Sequence, residues 1–101
     1  MKVFISQPMR GLTSEQILSR REEIIKKIKK EYKDAEILDT FFKDEHKDHS
    51  PLYCLGKAII KLGEADIAYF SKGWETARGC RIERIITSEY DIKVVEEQGI
   101  G

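Results

Sequence analysis

Lys2-Val3-Phe4-Ile5-Ser6, then Gln7-Pro8-Met9-Arg10-Gly11-Leu12, then Thr13-Ser14-Glu15-Gln16 is the stretch whose reading decides the fold. Three apolar residues in a row, β-branched or aromatic and ended by a proline, read as a short buried strand. Thr13 followed three residues later by Gln16 reads as a capping box, and Glu15 places negative charge where the helix dipole favours it. Behind that cap, Ile17, Leu18, Arg21, Ile24, Ile25, Ile28 and Tyr32 recur at helical spacing and predict a helix to about Lys33. Lys26, Lys27, Lys29 and Lys30 on the other face, diluted by Glu22, Glu23 and Glu31, read as solvated charge.

The same alternation continues outward. Ala35 to Thr40 is a second strand candidate, and Phe41 to Ser50 is a polar loop with no apolar period. Ser50-Pro51 reads as an N-cap with proline at the first helical position, before a helix with Leu52, Leu55, Ile59 and Leu62 on one face and Gly63 as its stop. Asp66 to Phe70 is a third strand and Ser71-Lys72-Gly73 its turn. A helix from about Ala77 to Tyr90 follows, with Ile82, Ile85, Ile86 and Tyr90 as its inner stripe. Ile92 to Val95 is a fourth strand, and Glu96 to Gly101 a polar tail. Strands alternating with helices require a parallel sheet, because each crossover needs a helix. The expected fold is α/β: one domain over residues 1–101, a small three-layer open sheet of about four parallel strands with helices on both faces.

Composition narrows the function classes. The 101 residues carry 18 Lys plus Arg and 18 Asp plus Glu, a formal net charge of zero, so the basic excess that drives binding to polymeric nucleic acid is missing. No apolar run approaches the ~20 residues of a membrane span, and the N-terminal apolar run stops at Ser6, so neither a membrane partner nor a signal peptide is expected. Cys54 and Cys80 are the only cysteines and have no C-x-x-C spacing, which suits a reducing, cytoplasmic compartment. His46, Asp48 and His49 lack the spacing of a zinc motif, so no metal is expected, and with neither a Walker A loop nor a G-x-G-x-x-G fingerprint no cofactor is expected either.

In open parallel sheets, ligands bind beyond the carboxyl ends of the strands. That rule selects Ser6 to Gly11, Asp39 to Ser50, and Ser71 to Glu83. In the first, the amides of a glycine-bearing turn and the fork of Arg10 suit an anion, or else Pro8 and Gly11 merely shape the turn. In the third, Trp74 suits a flat base or sugar, or else plugs the end of the sheet, and Gly79 allows close backbone approach. Glu83, one turn into its helix, reads from the residues alone as a surface acid paired with Arg81 or Arg84, and alternatively as a carboxylate acting on a sugar carbon.

Val3-Phe4-Ile5-Ser6-Gln7-Pro8-Met9-Arg10-Gly11, Ala65-Asp66, Gly73-Trp74-Glu75 and Gly79-Cys80-Arg81-Ile82-Glu83 together resemble a family of small domains of unknown function (DUF4406). That family is similar to the nucleoside 2-deoxyribosyltransferases and the 2'-deoxynucleoside 5'-phosphate N-hydrolases, and the resemblance runs over nearly the whole chain. It implies a flavodoxin-like sheet, a nucleoside or nucleotide ligand, and cleavage or exchange of an N-glycosidic bond. On that basis Glu83 is the expected nucleophile. Ser6, Met9, Arg10 and Gly11 are the expected phosphate site, Trp74 and Gly79 further substrate contacts, and Asp48 the nearest candidate for the acid. Phe4 stands where those enzymes place an aromatic residue against the glutamate. Ala77 stands where the transferases carry an aspartate, which keeps open a non-catalytic nucleotide-binding module, a sensor or sponge. A thin sheet of this size also suggests a homodimer or higher homo-oligomer.

Overall fold

The structure, a computed structural model, describes residues 1–40 and 50–97. Its strands are β1 (Lys2–Ser6), β2 (Glu36–Ile37), β3 (Ile67–Phe70) and β4 (Lys93–Glu96). The helices are α1 (Ser14–Glu31), α2 (Pro51–Leu62) and α3 (Arg78–Glu89), with a single 3₁₀ turn at Trp74–Thr76. All strand pairs are parallel and the order across the sheet is β2-β1-β3-β4. The described strands follow the order of the first four strands of a flavodoxin-like sheet. The chain steps from β1 to β2 in one direction and then returns past β1 to β3, so the order reverses between β1 and β3.

Side-chain alternation along each strand divides the core. Val3, Ile5 and Tyr69 face α1 and pack with Ile24 and Ile28. Phe4, Ala68 and Phe70 face the other way and pack with Leu38, Ala58 and Leu62, against which Ile86 of α3 also sits. Among the described residues, one helix therefore covers one face and two helices the other, the arrangement right-handed crossovers impose on this strand order.

The expected capping box is formed. Thr13 Oγ1 accepts from the Gln16 N–H at 3.1 Å, and Gln16 Oε1 accepts from the Thr13 N–H at 2.9 Å. Thr13→Ala is expected to lower stability by about 1 kcal/mol, seen as a lower urea midpoint, because the Gln16 N–H in the first turn loses its acceptor. Ser50 caps α2 as expected, accepting from the Tyr53 N–H at 3.1 Å.

Several expectations need correction. The ladder of β2 covers only Glu36–Ile37 and does not reach Thr40. On α2, Leu62 is buried as expected, but Leu52, placed on the same inner face, is 77% exposed, and Ala58 turns inward as well. On α3 the expected stripe is displaced: Ile85 and Tyr90 are 61% and 77% exposed, whereas Cys80, Glu83 and Thr87 are buried. Those three residues are themselves spaced three and four apart, so a second periodic stripe, polar in composition, took the inner face. The polar tail is also cut short. Glu96 belongs to β4, and Glu97 is buried, where it accepts from Arg20, from Lys27 Nζ at 2.6 Å and from the Lys72 N–H at 2.8 Å.

Candidate functional site

Even-numbered β1 residues point toward α2 and α3, so Ser6, the last of them, projects there at the carboxyl end of the strand. Its partner in register is Phe70 of β3, and the Ser71 N–H donates to the Ser6 carbonyl at 2.9 Å, which holds the two strand ends together. This is where the strand order reverses, the position at which open parallel sheets bind ligands. Glu83 comes down onto it from α3. Ser6 Oγ donates to Glu83 Oε1 at 2.6 Å, with Ser6 fully buried and Glu83 only 7% exposed.

The surface reading of Glu83 is thereby overturned. Arg81 turns away and donates to the Glu75 carbonyl at 3.0 Å. Arg84 donates to Thr87 Oγ1 at 3.3 Å and lays its guanidinium 5.9 Å from the Phe70 ring centroid and 6.0 Å from that of Trp74. Among the described residues no cation pairs with Glu83. Burial pushes its carboxyl up to about 7, while the Ser6 hydrogen bond pulls the other way. Cys80, one turn earlier on the same face, is pushed up to about 11, mainly by burial; contact with Ser6 opposes that rise and the Glu83 charge adds to it. Its thiol is therefore an inert small hydrophobe rather than a nucleophile. The half-buried Cys54 belongs to α2, with no part in this cluster.

The first loop folds as a turn. The Leu12 N–H donates to the Met9 carbonyl at 3.1 Å, with Gly11 at a φ of 82° that favours glycine. Arg10 at its tip is exposed and makes no hydrogen bond or ion pair among the described residues. The loop lies against the third segment: Gly73 also has a positive φ, 89°, and a Cβ built there would come within 4.0 Å of Pro8 Cγ. Two of the three segments singled out in the sequence thus share one edge of the molecule.

Trp74 is less free than a stacking wall requires. Its ring meets Phe70 edge-on at 5.4 Å and 67°, its face is approached by Arg84, and its Nε1 donates to Glu96 Oε1 at 3.0 Å. Gly79 faces α2, where an added Cβ would lie 3.9 Å from Leu55 Cδ1, an ordinary contact, so helix packing does not by itself require a glycine there. Phe4 is buried in the core cluster on the same sheet face as Ser6. Asp48, the expected acid, and His46 and His49 lie outside the described residues. Among the described residues no group of acidic, histidine and cysteine side chains could hold a metal ion, and no helix is long and apolar enough to cross a membrane.

Two participants escaped the sequence reading. Arg21 is buried in the α1 stripe and donates to the Leu38 carbonyl at 3.0 Å and to Gln7 Oε1 at 3.4 Å, which ties the ends of β1 and β2 to α1. Its signal was a cation at an apolar position of the stripe. Thr40 is buried just past β2, and as the last residue of a short polar-apolar run it carried no signal.

Compared with family models, with curated proteins and with solved structures, the chain matches none. The fold and the site therefore have to carry the functional argument.

Proposed function

We propose that the chain cleaves or exchanges the N-glycosidic bond of a nucleoside 5'-monophosphate, deoxyribo in preference, through Glu83. The observation that carries this reading is a buried carboxyl with no cationic partner among the described residues, bonded only to a serine at the point where the strand order reverses. A structural acid that deep is normally paired with a cation, and a perturbed, unpaired carboxyl in a ligand-binding position is the mark of a functional group. The hydrogen bond from Ser6 fixes Oε1 and leaves Oε2 to attack. In the proposed step the ionised form of Glu83 bonds through a carboxylate oxygen to C1' of the sugar, and the C1'–N bond breaks with its electron pair on the base. The departing nitrogen takes a proton, for which Asp48 remains the candidate donor. Water or a second base then attacks C1' and releases Glu83, with the accepting nucleophile giving up its proton. Arg10, with the Met9–Leu12 turn, is the proposed 5'-phosphate site. The exposed apolar side chains Leu52, Ile60 and Ile85 would be covered in a homodimer.

One observation favours a second reading, a non-catalytic nucleotide-binding module: Ala77 supplies no proton at the position where the transferases carry an aspartate. One experiment separates the two. Nucleoside 5'-monophosphates are incubated with the wild type and with Glu83→Ala, thermal shifts are recorded, and released base is measured by chromatography. Glycosidic chemistry predicts free base from the wild type and a fall on the order of 10³-fold or more in the variant. A thermal shift without released base selects the binding module. Neither shift nor base removes the nucleotide reading.

A further inference from the structure

Among the described residues, one buried side-chain oxygen has no hydrogen-bond partner: Thr40 Oγ1, in a residue only 5% exposed. Native structures leave few such groups, because a buried hydroxyl without a partner forfeits the bonds it had in water. The position of Thr40 gives this one a meaning. The register of β1 on β2 pairs Lys2 with Glu36 and Val3 with Ile37, and the Leu38 N–H donates to the Val3 carbonyl at 2.9 Å. Carried forward, that register sets Thr40 level with Ser6, one strand over. Burial alternates over Leu38, Asp39 and Thr40, and Leu38 packs in the cluster on the α2 and α3 face. Thr40 therefore faces the side of the sheet on which Ser6 and Glu83 meet. The ladder does not close over it, because the Leu38 carbonyl accepts from the Arg21 guanidinium at 3.0 Å instead of continuing along β1.

We infer that Thr40 is a ligand-binding residue whose hydroxyl holds a hydroxyl group of the pentose, one strand away from the carboxyl that addresses its anomeric carbon. This rests on the nucleotide reading of the Glu83 site and extends that site from β1 and α3 to β2. A threonine hydroxyl both donates and accepts, as a sugar hydroxyl does, so one ligand group satisfies it where a carbonyl or ammonium group would use only half its capacity. Charge supports the choice of a neutral ligand group there. Among the described residues, the charged Arg21 and Asp39 at that end of β2 lie toward α1, on the far side of the sheet.

The test compares wild type, Thr40→Val and Thr40→Ser by titration with 2-deoxyribose 5-phosphate and with deoxynucleoside 5'-monophosphates. Valine copies the shape without the hydroxyl, so the ligand-free melting temperature should hold or rise. Affinity for both probes should fall about five- to tenfold in Thr40→Val, the value of one lost hydrogen bond, and stay near that of the wild type in Thr40→Ser. Unchanged affinity in Thr40→Val overturns the role of Thr40 and leaves the nucleotide reading standing. Absence of binding by the wild type to every probe overturns both.

Discussion

Glu83→Gln is expected to make the protein more stable at pH 8 while abolishing any released base. The sign follows from where the proton binds more tightly. The Glu83 carboxyl titrates near 7 in the folded protein, against an ordinary value of 4.5, so the folded state holds the proton more strongly than the unfolded chain does. Its stabilising contribution is then fully present below about 4.5 and is lost as pH rises through about 7, with a difference on the order of 3 kcal/mol between the two ends. Glutamine keeps the shape and the acceptor for Ser6 but never ionises, so the variant loses this slope. At pH 8 it should exceed the wild type by roughly 2 kcal/mol, part of the gain being offset by a buried amide N–H₂ in need of an acceptor. Urea midpoints at pH 5, 6, 7 and 8 measure it. Glu97 does not confuse the comparison. Burial there is outweighed by bonds from Lys27 and the Lys72 N–H and by Arg20, so its carboxyl lies below the ordinary range and its contribution is lost only as pH falls through that lower value. The two proteins share every other titratable group, so the difference between the two profiles belongs to Glu83. Parallel profiles would mean that Glu83 is not buried as a lone carboxyl, and would remove the basis of the functional reading with it.

The same residue shows where sequence reasoning succeeds and where it stops. Periodicity and capping residues carry the architecture. Val3-Phe4-Ile5 reads as a buried strand, Thr13 and Gln16 read as the start of a helix, and alternation then points to a parallel sheet with helices on both faces. The rule for ligand position picked the ends of β1 and β3, where Ser6 and Glu83 do meet, 77 residues apart in the chain. The orientation of α3 was not legible, because an amphipathic stripe is recognised by its apolar members. The helix offers an isoleucine stripe and a Cys80–Glu83–Thr87 stripe, and burying a glutamate is unfavourable unless a site requires it. Sequence rules therefore choose the wrong face of α3, where the polar stripe lies inside. Thr40 and Glu97 were missed for a related reason. Glu97 is buried through bonds to residues distant in sequence, and Thr40 lies past the end of the β2 ladder, so no local spacing encodes either.

Phe70→Ala is expected to cost about 3–5 kcal/mol, the largest loss of stability from a single side chain. The ring is fully buried at the centre of the cluster formed by Phe4, Leu38, Ala58, Leu62 and Ala68, between β3 and the two helices above it. It also supports two residues that cover the sheet edge beside the site. Trp74 rests edge-on against it at 5.4 Å, and the Arg84 guanidinium lies 5.9 Å from its centroid. Truncation removes apolar burial, leaves a cavity beneath Trp74 and deprives Arg84 of one of its two aromatic contacts, so the terms add rather than compensate. For a domain of this size the loss corresponds to a fall of more than ~10 °C in melting temperature. Tyr90→Ala supplies the contrast. Both are aromatic residues in or beside a regular element, but Tyr90 is 77% exposed and its removal should stay within about 0.5 kcal/mol. Trp74 is the only tryptophan, so its emission reports the same event optically. In Phe70→Ala below its melting transition the band should shift to longer wavelength as water reaches the indole, while the Glu96 hydrogen bond still holds the other edge of the ring. A Phe70→Ala protein as stable as Tyr90→Ala, with unshifted emission, would place the core elsewhere and dissolve the platform on which Ser6 and Glu83 are set.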